Sequence, residues 1–520
     1  MIKSFSARCR FRLVFILSFS LCLILFSCSQ TKNETLPNPE IKAGMAKLSG
    51  KIVNYHSEEK ENPYIYLLVS NPVTAGSIRL EAQLGDDGSF YFEEIPIECN
   101  NTIGFIRSGI LNWVSIGVGL VSNEETQVEF ILGENNNIET YSINKGFLSA
   151  SDSVIFSFEL ERKFFTTTEG PYDKYYDIKP EDYPEYAMNM LEKRIQFALK
   201  GSHLSKKTTS FISNDFRLFY LAHPLLNYED YISFNYQNFK TEEEPDDFFP
   251  QKPSKSYYTF LKDFDLNNPQ HLYSSWYTEV LEKILNKDIL NIPSIGDTPI
   301  DEWMKNVRGI MSELVGFDKG LFYDMLVSNS YAMQLNNELK PLSNKQKENI
   351  ENYFKGKKVE IAKILLRKND EIINRLAQVE STTVNETPKA PKDKLMDAIV
   401  SKYKGKIVVV DFWATWCGPC LEAMKKYREV KSNLKGKNIV FVYITNTSSP
   451  KELWDNQIKG IGSEHYYLNG EEWESISSSE KYGFDGIPTY LIFDEAGNLK
   501  HKVTGYQGND EMQKMIEDLL

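Results

Sequence analysis

Two cysteines, Cys417 and Cys420, stand two residues apart in the run I-V-V-V-D-F-W-A-T-W-C-G-P-C over residues 407–420. Such a pair has three ordinary uses: half of a zinc site, a short structural staple, or a dithiol that cycles between thiol and disulfide. A zinc site needs four ligands, commonly a second C-x-x-C or a histidine pair, and nothing near Cys417 supplies one. A disulfide closing so short a loop stabilises little in the entropic account. Gly418 and Pro419 fit the redox use better. Proline is tolerated at a helix start, where its missing N–H would have no partner, and glycine lets an incoming backbone come close. Asp411 lies six residues before Cys417, at the end of an unbroken apolar run. An isolated carboxylate in such a place is expected to have a raised pKa.

The elements that must hold these residues alternate between strand and helix. Ile407–Phe412 reads as a buried strand, followed by a helix from Cys417 to Leu434 and a second such strand, Asn438–Ile444. A helical insert runs to about Tyr482, then come the strand T-Y-L-I-F-D (489–494), the turn E-A-G-N, a strand at 499–504 and a helix over Asn509–Leu520.

Upstream, residues 46–145 carry short alternating runs such as Y-I-Y-L-L-V (64–69) and S-F-Y-F-E-E-I (89–95), with turn residues between them. That pattern predicts a small β-sandwich. Residues 146–380 switch to apolar spacings of three and four, as in 186–200, 274–285 and 359–377, and predict a mainly α-helical domain. Residues 242–253 read as an acidic, proline-rich loop, and the polar stretch 381–394 as a linker ahead of a domain over 395–520. The six histidines are scattered; His203 or His223 alone reads as a surface or core residue.

The N-terminus has a different purpose. Lys3, Arg8, Arg10 and Arg12 precede a 14-residue apolar stretch, Leu13–Phe26. That is short of the roughly 20 residues a membrane-spanning helix needs and suits an export signal. Residues 1–27 are therefore expected to be a signal peptide. L-F-S-C at 25–28 resembles a bacterial lipobox, which implies lipidation at Cys28 and a tether over 28–45. After processing, Cys99, Cys417 and Cys420 remain, too few for a disulfide framework, and Cys99 reads as a small buried apolar residue. A net charge of −13 argues against nucleic acid as a partner.

V-D-F-W-A-T-W-C-G-P-C followed by G-I-P-T resembles the thioredoxin-like superfamily. The 71-residue spacing from Cys417 to Pro488, together with the export signal, is similar to its TlpA/ResA branch. The resemblance implies a C-terminal α/β thioredoxin-like fold over residues 395–520, in a multidomain chain with the β-sandwich and helical domains ahead of it. It implies Cys417 as nucleophile at a helix N-terminus, where N–H groups and the helix dipole favour a thiolate, and Cys420 as the resolving thiol. Asp411 would accept the Cys420 proton through water, and Pro488 matches the family's cis-proline. Ile487 would present its backbone to substrate, with Trp416, Gly418 and Pro419 as contact surface. Trp413, beside them, reads as core. Many members of the branch have glutamate at the position of Ala423 and proline at that of Lys425. Glu422 is one residue early and is not carried over.

The expectation is a membrane-tethered periplasmic reductase of disulfides in envelope proteins, an apocytochrome among the candidates. It would need no cofactor or metal beyond the Cys417–Cys420 disulfide and would be recharged by a membrane thiol reductant. The alternative is a partner-binding or scaffold lipoprotein with an accessory redox module.

Overall fold

The computed structural model describes residues 35–55, 64–112, 114–150, 155–156, 163–164, 174–201, 204–377, 379 and 381–520. The expected signal peptide, Cys28 and His203 lie outside the described residues.

Among the described residues, nine strands make two facing sheets: β1 (Ile41–Val53), β2 (Tyr64–Asn71), β3 (Gly76–Gln83), β4 (Ser89–Cys99), β5 (Asn101–Arg107), β6 (Ser115–Val121), β7 (Glu125–Leu132), β8 (Ile138–Asn144) and β9 (Ile155–Phe156). Their orders are β4-β1-β7-β8 and β3-β2-β5-β6-β9. Alternation along each strand sends Leu48, Phe90 and Phe130 from one sheet, and Leu67, Ile106 and Val118 from the other, into a common core. The β1–β4 register shifts between Phe92 and Ile95, turning Glu93 and Glu94 outward while apolar residues on both sides face in. Gly88 closes the preceding turn at φ +79°, where a Cβ would lie 2.1 Å from the Ile52 carbonyl oxygen. Only glycine fits there.

The helical region contains α1 (Tyr183–Leu199), α2 (Lys206–Tyr220), α3 (Tyr228–Phe239), α4 (Ser275–Leu285), α5 (Ile300–Val315), α6 (Leu321–Asn336), α7 (Asn344–Tyr353) and α8 (Val359–Ala377). Helix α6 is buried on nearly every side and forms the centre of the bundle. The expected sandwich and helical domains share a core: the cluster around α6 includes Val73, Cys99 and Ile103 of the sandwich. The turn between β2 and β3 is held from both sides. Ser328 Oγ of α6 donates to the Val73 carbonyl at 2.9 Å, and Asn336 Nδ2 donates to that of Thr74 at 2.6 Å. From β4, the buried Glu98 carboxylate accepts from Val73 N at 2.7 Å, Thr74 N at 3.2 Å and Thr74 Oγ1 at 2.6 Å.

Three expectations change. The tether ends before residue 45: Leu36 is buried against the helices, Tyr273 OH donates to the Pro37 carbonyl at 2.7 Å, and β1 begins at Ile41. The linker 381–394 contains a strand, β10 (Thr382–Asn385). The insert expected to be helical contains a strand too, over Ser463–Leu468.

The C-terminal domain adds α9 (Leu395–Ser401), β11 (Ile407–Phe412), α10 (Gly418–Asn433), β12 (Ile439–Asn446), α11 (Lys451–Gln457), β13 (Ser463–Leu468), α12 (Gly470–Ser477), β14 (Thr489–Phe493), β15 (Leu499–Thr504) and α13 (Asn509–Glu517). The sheet order is β10-β13-β12-β11-β14-β15, with β11 central, parallel to β12 and antiparallel to β14. Because helices cover both faces, β11 is buried throughout: Val408, Val410 and Phe412 face α9, while Ile407 and Val409 share a cluster with residues of α10 and α13.

Candidate active site

Cys417 and Cys420 form a disulfide with Cα atoms 5.3 Å apart. Cys417 is the N-cap of α10, and its Sγ accepts the Cys420 backbone N–H at 3.2 Å. That donor and the helix dipole both favour negative charge on this sulfur. Cys420, one turn in, is buried. The Ile487–Pro488 peptide bond is cis, and the Ile487 carbonyl oxygen lies 3.8 Å from Cys417 Sγ. Half-buried Ile487 and buried Pro488 thus form the wall opposite the helix start.

Trp416 is 63% exposed, and its Nε1 donates to Ser448 Oγ at 3.0 Å. Thr415 N donates to the buried Ser449 Oγ at 3.0 Å. These serines sit in the loop leaving β12 and hold the collar in front of the dithiol. Sequence reasoning missed them, although N-T-S-S-P directly after a buried strand marks such a loop. Trp413, in contrast, is fully buried. An added Cβ on Gly418 would meet nothing within 4 Å, so the space over the cysteines' first turn is open.

Asp411 is buried on the α10 side of the sheet. Its strand neighbours are Tyr443 on β12 and Tyr490 on β14. Tyr427 of α10 packs against the Tyr490 ring at 6.0 Å between centroids. Asp411 Oδ1, Tyr427 OH and Tyr490 OH are all buried without a hydrogen-bond partner. Burial pushes the Asp411 carboxyl well above the usual carboxylate range, with Lys431 pulling weakly the other way. A carboxyl whose charged form is disfavoured in this way can exchange a proton with a buried thiol. Cys420 and Tyr427 are seven residues apart, so both lie on the buried face of α10, over the sheet face that carries Asp411.

Ala423, where many members of the branch have glutamate, is buried, while Glu422 points outward and pairs with Lys425. The buried Cys99 thiol has its pKa raised by desolvation and by Glu98, which keeps it protonated. His223 packs on Phe219 and Trp276 in the helical region. Among the described residues, no group of three or more His, Cys, Asp or Glu side chains is arranged to hold a metal ion.

Residues 405–499 match the thioredoxin-like family model. They form a thioredoxin-like domain. Its relatives include the thiol-disulfide oxidoreductase ResA of Geobacillus kaustophilus, 25% identical over 120 residues, which are 23% of this chain and 67% of the relative. The thioredoxin-like protein YneN of Bacillus subtilis is 26% identical over 126 residues, 24% of this chain and 69% of that one. Among solved structures, a thiol:disulfide interchange protein from Chlorobium tepidum matches at 22% identity and TM-score 0.21, covering 23% of this chain and 83% of the other. The exposed lipoprotein thioredoxin of Streptococcus pneumoniae matches at 23% identity and TM-score 0.20, covering 24% and 95%. The thioredoxin-like domain, with its cysteine pair at a helix start, is of the thiol–disulfide oxidoreductase class.

Proposed function

We propose that this chain reduces disulfides of exported proteins on the outer side of a bacterial membrane, anchored there by lipid on Cys28. The observation that carries the redox reading is the N-cap sulfur of Cys417, bonded to the Cys420 N–H and facing the Ile487–Pro488 wall. In the reduced protein, the Cys417 thiolate attacks one sulfur of a substrate disulfide. A new S–S bond joins enzyme and substrate, and the other substrate sulfur leaves as a thiolate that takes up a proton. Asp411, its carboxylate form raised in energy by burial, accepts the Cys420 proton. Cys420 then attacks Cys417 Sγ, displacing the second substrate thiol and closing the Cys417–Cys420 disulfide. Two electrons have passed to the substrate, and an external dithiol must return them. A membrane thiol reductant is the expected donor.

The supports for export are the basic residues before Leu13–Phe26 and the L-F-S-C run at 25–28. Among the described residues, no helix is long and apolar enough to cross a membrane; the support for a lipid anchor is the L-F-S-C run.

Insulin reduction by the full chain tests the chemistry. Cys417→Ser is expected to lower the rate by about a thousandfold or more, the scale of losing a covalent nucleophile; retained activity would sink the reading. Cys420→Ser should accumulate mixed disulfides whose mass spectra name the substrates.

A further inference from the structure

The outer face of α10, which begins at Gly418 beside Cys417, borders the upstream domains. A cleft of about 450 Å³ lies between the β2–β3 turn, the ends of α6 and α8, and the outer face of α10. Gly418, Leu421, Lys425 and Arg428 line its α10 wall. At spacings of three, four and three residues they form one stripe running from the dithiol. The cleft is cationic in a chain whose net charge is −13. Arg375, Arg428, Lys368, Lys425 and Lys431 line it, and the only lining carboxylate among the described residues, Glu422, is paired with Lys425.

Two of these cations stand out. Arg375 of α8 and Arg428 of α10 approach each other from different domains. Desolvation and the like charge of Arg428 push Arg375 down to about 10. No salt bridge to either arginine occurs among the described residues, and Arg375 Nε is buried with no acceptor. A half-buried guanidinium with an unpaired Nε facing a second guanidinium is unfavourable unless an anion completes the arrangement, and a carboxylate accepts guanidinium donors in bidentate geometry.

We propose that this cleft binds an acidic residue of the polypeptide substrate, a few positions from the cysteine that Cys417 attacks. This rests on the reductase reading and adds a substrate preference to it. The occupant is a segment of the substrate because the stripe begins at Gly418, beside the nucleophile, where the surface is open. Arg428 lies ten residues further along α10, about 15 Å at 1.5 Å per residue, and an extended peptide covers that in roughly four or five residues. The upstream domains then supply half of the substrate site, through Arg375 and the wall at the β2–β3 turn.

The test uses the full chain, reduced and freed of reductant, and two peptides that carry one cysteine as its mixed disulfide with mercaptoethanol. They differ only in Glu or Gln four residues from that cysteine. Single-turnover reduction at low salt is expected to favour the Glu peptide by about tenfold, and the preference should fall below about twofold in Arg375→Gln/Arg428→Gln. Hydroxyethyl disulfide, with no charge for the cleft to hold, should be reduced equally by both proteins. The single variant Arg428→Gln, at an exposed position, should give an intermediate preference and guards against a folding defect in the double variant. Equal rates for the two peptides, or a preference that survives the double variant, would overturn the proposal. If no disulfide is reduced at all, the reductase reading fails on its own. Fluorescence anisotropy of the S-methylated, dye-labelled peptides on the oxidised chain then still decides about the cleft: tighter binding of the Glu peptide, lost in the double variant, supports it, and equal binding overturns it. Sulfate replacing chloride at constant ionic strength identifies a free-anion site; sulfate binding without a peptide preference also overturns the proposal.

Discussion

Asp411 and Glu98 are both carboxyls at strand ends, both buried, and both pushed upward in pKa by that burial. Their surroundings separate them. Glu98, under the β2–β3 turn, accepts three hydrogen bonds that pull its pKa part of the way back. Asp411, beneath the dithiol helix, keeps one oxygen with no partner and sits near Tyr427 and Tyr490, whose hydroxyls are also unpaired. A buried acid whose lone pairs are used holds a backbone in place; one whose lone pair is idle is poised to take a proton. Burial alone therefore does not mark a functional acid.

The contrast can be broken most severely at Glu98. Glu98→Ala leaves two backbone N–H groups and a hydroxyl buried without an acceptor, and should destabilise the chain by about 3 kcal/mol or more. Glu98→Gln, which keeps an acceptor, should cost about 1–2 kcal/mol; urea titration of both variants checks the ranking. Asp411→Asn should act in the opposite direction. A carboxyl with a raised folded pKa contributes stability that is fully present below its unfolded pKa, near 3.9, and is lost as pH rises through the folded value. The variant should therefore match the parent at pH 4 and be more stable by roughly 1–3 kcal/mol at pH 8, the usual range for an unpaired buried polar group. The same substitution should slow release of substrate from the Cys417 mixed disulfide by about tenfold or more near neutral pH, the low end of general-base contributions. Stopped-flow reduction read alongside the melts would separate that loss from any structural damage. Trp416→Ala, at the exposed collar, should move stability by less than about 0.5 kcal/mol and raise the KM for a protein disulfide a few-fold while leaving hydroxyethyl disulfide reduction unchanged.

Local signals carried far in this chain. The three- and four-residue spacings of 186–200, 274–285 and 359–377 correspond to helices Tyr183–Leu199, Ser275–Leu285 and Val359–Ala377, because amphipathic periodicity depends only on near neighbours. C-G-P-C at a helix start could be read for the same reason. Strand β10 could not: T-T-V-N is short, polar and half-exposed, and pairs with β13 some 80 residues later. Strand β13 was hidden by its polar start, S-E-H, between helices. The different situations of Asp411 and Glu98 could not be read either, since Asp411 is defined by Tyr443 and Tyr490 on neighbouring strands and Glu98 by a turn 24 residues away. The Arg375–Arg428 cleft joins helices from separate domains, and no window of sequence contains both.

The docking of Leu36 against the helical core has a consequence for height above a membrane. With the proposed lipid on Cys28, eight Cα-to-Cα steps separate the anchor from Leu36, the first buried side chain among the described residues. Fully stretched, they reach about 29 Å at 3.6 Å each. On that proposed anchor Leu36 would stay within this height of the bilayer, which would favour partners lying near the membrane surface.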